Sequence, residues 1–92
     1  MADNNNIDPA WVEQMVREVV EKLGGLSSLP DPDMNLYDDI GMDALDVVEC
    51  CMEVEEALTE KAGSPLYLTD EVCDKIETVG DLIKAAKGAI SL

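Results

Sequence analysis

Asp46, Glu49, Glu53, Glu56 and Glu60 recur at three- and four-residue spacing, which lines five carboxylates along one side of a helix. Neighbouring carboxylates can do general acid–base work where a cleft or a partner drives their pKa values apart. No pattern around these residues marks an apolar cleft, so they read as surface acids. Like charges at this spacing repel by about 0.2–0.5 kcal/mol per pair, so the row does not serve helix stability. It is either a solvated face or a docking surface for basic partners, whose association would be faster at low salt.

Other chemistries have fewer residues to work with. The chain holds no histidine, which removes the commonest general base, the commonest zinc ligand and every nucleophilic triad that uses one. Cys50, Cys51 and Cys73 cannot all pair within one chain, the adjacent two are badly placed to bridge each other, and no C-x-x-C occurs. They read as packed thiols in a reducing cytosol, with nothing nearby to lower their pKa. Asp31-x-Asp33-x-Asn35 begins like a calcium loop, but Leu36 stands where glycine is needed and Met42 where a bidentate glutamate is needed. No independent enzyme activity is expected.

Charge narrows the partners. Six Lys and Arg stand against twenty-one Asp and Glu, for a net charge of -15. Nucleic-acid binding needs cations to displace phosphate counterions, so an electrostatic grip on nucleic acid is excluded, and the same charge argues against docking on anionic lipid. The complementary partner is a basic protein surface. Eleven of the acids fall between Asp31 and Glu60, and no Lys or Arg lies between Lys22 and Lys61, so this pull is concentrated in the middle of the chain. The same charge favours a monomer. Residues 1–8 lack the basic start and apolar run of a signal peptide, and no apolar stretch reaches membrane-spanning length, which points to the cytoplasm. At 92 residues and 47% hydrophobic content, one domain with one modest core is expected, with residues 1–7 a flexible N-terminus.

The positioning elements read as helices. Asp8 caps a first helix to Leu23, with Pro9 in its first turn, Val12, Met15, Val16, Val19, Val20 and Leu23 on one face, and Gly24-Gly25 as its end. Residues 26–42 form a long loop strapped over the core by Leu26, Leu29, Met34, Leu36, Tyr37 and Ile40. Asp43, with Asp46 three residues on, caps a second helix that runs past Leu58 to Gly63-Ser64-Pro65. Its core stripe is Val47, Cys51, Val54 and Leu58, with Val48 beside it, and Leu45 and Met52 lie at the seam between apolar and acidic faces. Thr69 caps a short helix to Asp74 offering Val72, Cys73 and Ile76 to the core. Thr78 and Asp81 open a last helix with the stripe Val79, Leu82, Ile83, Ala86 and Ile90. No strand-like alternation is present.

The stretch Leu36-Tyr37-Asp38-Asp39-Ile40-Gly41-Met42-Asp43-Ala44-Leu45-Asp46 resembles the motif of acyl carrier proteins, in which an acidic, glycine-containing approach leads into Asp-Ser-Leu-Asp at the start of the second helix. The likeness continues through Val48, Glu49, Met52, Glu55, Glu56 and Leu58, then through Thr69-Asp70-Glu71 and Lys75-Ile76-Glu77-Thr78-Val79-Gly80-Asp81, and covers about residues 8–90 in order. It implies an all-α, small four-helix acyl-carrier-like bundle, with three principal helices, one short helix and a long first loop. It also implies a carrier that shuttles thioester-bound acyl intermediates in fatty-acid, polyketide or related lipid synthesis on a 4'-phosphopantetheine arm. By the same resemblance, Asp43, Leu45, Asp46, Glu49, Met52, Glu55 and Glu56, with Glu53 in the same acidic row, form the surface met by carrier-dependent enzymes with basic docking sites: phosphopantetheinyl transferase, ketoacyl synthase, dehydratase and acyltransferase.

The chain departs from that pattern at the residue that matters most. Ala44 stands where the family's serine is esterified by phosphopantetheine, and a methyl group cannot be esterified. Ser27, Ser28, Ser64 and Ser91 lack the motif around them. Two explanations stand: an engineered serine-to-alanine change, favoured by the intact flanking Asp43, Leu45 and Asp46, or a natural non-acylated relative that docks on partner enzymes for regulation. A second departure is Thr59 to Tyr67, several residues longer than the family's usual connection.

Overall fold

The computed structural model describes residues 7–90. Four helices follow one another: α1 (Pro9–Gly24), α2 (Ala44–Ala62), the single turn α3 (Asp70–Cys73) and α4 (Val79–Ile90). No strand occurs among the described residues; Asn35 and Thr78 form an isolated antiparallel bridge.

Local chemistry sets each boundary. Asp8 accepts from the Ala10 N–H at 2.9 Å and Pro9 opens α1. Gly25 ends α1 and Gly63 ends α2, both in the left-handed conformation. The Thr69 side chain caps α3, accepting from the Val72 N–H. Thr78 Oγ1 accepts from the Asp81 N–H at 3.0 Å, while Asp81 Oδ2 accepts from the Thr78 and Glu77 N–H groups at 3.1 and 3.0 Å, a capping box that starts α4.

α1 packs most extensively on α4 and on α2. Between them Val12, Val16, Val20, Val47, Val54, Leu58, Val79 and Leu82 are sealed from solvent. Lys87 pairs with Glu13 at 2.8 Å across α4 and α1, and Lys61 stands 5.0 Å from the centroid of the Trp11 ring.

The long loop is bound to the bundle along its length. Arg17 Nε donates to the Pro30 carbonyl at 2.8 Å, Gly80 N–H to Pro32 at 2.8 Å, Val79 N–H to Met34 at 3.0 Å, and Leu36 N–H to Glu77 at 2.8 Å. Gly80 permits this approach: a Cβ there would stand 3.1 Å from the Pro32 carbonyl oxygen. Leu36 and Met42 are buried, whereas Tyr37 is 37% exposed. The strap's backbone therefore hangs on the start of α4 and its side chains delimit the start of α2.

Three readings of the sequence change. Ile7, expected in a flexible N-terminus, is buried; it precedes the cap and joins the core together with Val12 four residues into α1, the positions of a hydrophobic staple. Residues 1–6 lie outside the described residues. Val72 is 39% exposed instead of in the core, because the single turn of α3 directs Cys73 against the core and Ile76, beyond its end, fills the place beside it. On α2, Cys50 is buried and Val48 is 46% exposed, because Met42 of the strap covers the Cys50 side: their sulfurs lie 3.9 Å apart.

Candidate functional site: the first turn and outer face of α2

The start of α2 is a reciprocal cap. Asp43 Oδ1 accepts from the Asp46 N–H at 2.9 Å and Asp46 Oδ2 accepts from the Asp43 N–H at 3.1 Å. Both carboxylates are thereby turned back onto the backbone of the first turn and fixed in place. Ala44, the first helical residue, is exposed, as is Leu45. Negative charge in this turn is favourable to the helix, whose N-terminal N–H groups carry the positive end of the macrodipole.

Beyond the first turn the outer face of α2 combines apolar and acidic side chains. At 100° per residue, Leu45, Glu49, Met52 and Glu56 fall within about 60° of one another. Leu45 is 68% and Met52 61% exposed, so they stand in the middle of the solvent face and not at its seam. Val48 extends the apolar strip between them. It escaped the sequence reading because its helical angle leaves it near the core stripe, and only the strap's preference for Cys50 turns it outward.

The predicted acids divide into two groups. Glu49 and Glu56 are exposed and form no ion pair or hydrogen bond through their carboxylates among the described residues. Glu53 pairs with Lys22 of α1 at 2.7 Å, and this contact raises the Lys22 pKa. Glu55 points to the opposite flank, where its Oε2 accepts the Leu68 N–H at 2.6 Å. Glu55 therefore serves the fold through Oε2, while the residue, half-buried, also borders the groove along α2.

An open groove of ≈ 690 Å³ runs beside this face. Leu23, Met52, Leu66 and Tyr67 supply its apolar surface, and Glu49 and Glu56 line it with charge. Tyr67 belongs to the long connection after α2. Thr59 Oγ1 accepts from the Leu66 N–H at 3.0 Å and donates to the Leu66 carbonyl at 3.3 Å, so the connection folds back along α2.

The thiols lie beneath the face. Burial pushes Cys50 up to about 12, with Asp46, Glu49 and Glu53 adding to the rise. Burial likewise raises Cys51, with the Cys73 thiol adding to the rise, and is the largest cause of the raised Cys73 value. Neutral, buried sulfur of this kind packs and does not attack.

Ala44 tests the fit of a phosphopantetheine arm directly. Its methyl group offers no oxygen to esterify, and the exposed Ser27, Ser28 and Ser64 belong to the segments after α1 and α2 and not to this turn; Ser91 lies outside the described residues. Position 44 as it stands does not fit the phosphoester that would hold such an arm. Among the described residues no group of three or more Cys, Asp or Glu is arranged to hold a metal ion, and no helix is long and apolar enough to cross a membrane. No protein-family model matches the chain.

Proposed function

We propose that this chain is an acyl-carrier-type domain in a cargo-free form, presenting the outer face of α2 to carrier-dependent enzymes. The supporting observation is the exposed first turn of α2, with Ala44 and Leu45 outward and Asp43 and Asp46 locked in a mutual cap, followed by the strip Leu45–Val48–Met52 beside the carboxylates of Glu49 and Glu56. Apolar anchors provide contact area on such a face, while unshared carboxylates steer and orient a basic partner. The charge of -15 extends that steering beyond the contact itself. Partners of this chemistry include a phosphopantetheinyl transferase, a ketoacyl synthase, a dehydratase and an acyltransferase.

With serine at position 44, the hydroxyl would lie on an exposed turn where helix N–H groups suit a phosphodiester. The experiment is to make Ala44→Ser, add coenzyme A and a phosphopantetheinyl transferase, and weigh the intact protein. A gain of one phosphopantetheine on the Ala44→Ser variant and none on the unsubstituted chain is expected. No gain on either would overturn the carrier reading.

A second reading takes Ala44 as native: a regulatory subunit that docks on such enzymes without ever holding cargo. The residue encoded at position 44 in the natural gene separates the two, serine for the carrier and alanine for the regulator.

A further inference from the structure

Tyr67 is 71% exposed, more than any other large apolar or aromatic side chain among the described residues. Its backbone is nevertheless tightly held. Leu66 before it is buried and hydrogen-bonded twice to Thr59, and Leu68 after it is buried and donates to Glu55. In an extended segment side chains alternate, so two inward leucines force the tyrosine between them outward. The ring is thus presented by a fixed loop beside Met52 on the groove along α2.

We infer that Tyr67 is the aromatic anchor of the docking groove, and that its occupant is an arginine-bearing amphipathic helix of a partner protein. This deepens the proposed docking function and rests on it. The choice of occupant follows from charge: of the four glutamates that line the groove, Glu49 and Glu56 carry no partner among the described residues, and no Lys or Arg lines it. A second copy brings the same net charge of -15, and an anionic lipid surface is repelled equally. The groove follows α2 from Glu49 to Thr59, about 15 Å of helix, which suits two to three turns of a partner helix laid alongside. A guanidinium can stack on the Tyr67 ring while its N–H fork meets Glu56 or Glu49, a combination that a lysine ammonium matches poorly. A pre-positioned tyrosine loses little conformational freedom on binding, which is the character of a hot-spot residue.

The probe is a synthetic amphipathic helical peptide of about eighteen residues, roughly 27 Å long, with leucines on one face and arginines beside them. Its titration into the full chain, followed by backbone amide shifts and calorimetry, is expected to perturb Met52, Glu56 and Tyr67 together. Tyr67→Ala should weaken the peptide about ten-fold, Tyr67→Phe should restore most of the affinity, and replacing the peptide's arginines by lysine should weaken binding to the native chain more than to Tyr67→Ala. The exposed Tyr37→Ala serves as control and should bind unchanged. Equal affinity of the native chain and a folded Tyr67→Ala variant overturns the inference. So does sedimentation that shows self-association of the chain abolished by Tyr67→Ala, which would give the face to a second copy. None of these measurements depends on residue 44, so failure of the serine-modification experiment and failure of this one remain distinct.

Discussion

Glu55 Oε2 accepts the backbone N–H of Leu68 at 2.6 Å, and this contact ties the middle of α2 to the loop that carries Tyr67. A charge-assisted bond of this kind contributes about 1.5–3 kcal/mol where it is shielded and less where water competes. Glu55→Ala is expected to lower stability by about 1–2 kcal/mol in urea unfolding and to speed hydrogen exchange at the Leu68 amide. Glu55→Gln, which keeps an acceptor oxygen, should lose less. An unchanged Leu68 exchange rate in Glu55→Ala would show that the loop is held by other contacts.

The mutual cap of Asp43 and Asp46 predicts an asymmetry between neighbouring residues. Asp43→Ala removes the acceptor for the Asp46 N–H and should cost about 1 kcal/mol in thermal or urea unfolding. Ala44→Ser, one position on and exposed, should change stability by less than about 0.5 kcal/mol. A serine introduced at position 44 therefore needs no compensating substitution for its modification to be assayed.

The Asp81 carboxyl is held below its ordinary value by the Glu77 N–H first and by the Thr78 N–H and hydroxyl as well. A depressed folded-state pKa adds stability that is fully present above the usual aspartate range and is lost as pH falls through the folded value. Urea midpoints measured from neutral pH into the acid range should show Asp81→Asn clearly less stable than the native chain at pH 7, with the gap closing as acid protonates the native carboxylate. A constant gap across that range would assign the loss to packing instead of ionisation.

The raised thiol pKa values predict slow alkylation. In the folded chain Cys50 and Cys51 should resist iodoacetamide at pH 8, with the half-buried Cys73 reacting first, and all three should react readily in urea. Burial raises these values in the folded state only, so the stability it protects is present below the ordinary thiol range. That stability declines as pH rises from there toward about 12, the value to which Cys50 is raised. Alkylation of Cys50 at the rate of the unfolded chain would show that α2 opens easily beneath Met42.

Gly80 lies under the strap, where an added Cβ would come within 3.1 Å of the Pro32 carbonyl oxygen. Gly80→Ala should shift the strap by a few tenths of an ångström, lengthen the bond from residue 80 to Pro32, and lower stability by about 1–2 kcal/mol despite the better helix propensity of alanine. A more stable Gly80→Ala protein would mean that the strap yields without loss.

Chain order alone determined most of the helical frame. The capping pairs Asp43/Asp46 and Thr78/Asp81, the proline at position 9 and the glycines after α1 and α2 act within a few residues of themselves, so their effect is readable in one dimension. The stripe Val12–Val20 is legible for the same reason: helical spacing puts it on one side whatever it packs against. What tertiary structure decided are choices between neighbours of nearly equal standing. Cys50 goes inward and Val48 outward because Met42 arrives on one flank of α2; Glu53 and Glu55, two residues apart, part to Lys22 and to Leu68. Tyr67 faces solvent because Leu66 and Leu68 are both claimed by the core and by α2. Such outcomes depend on contacts between segments that lie far apart along the chain, and local spacing holds no record of which segment will arrive.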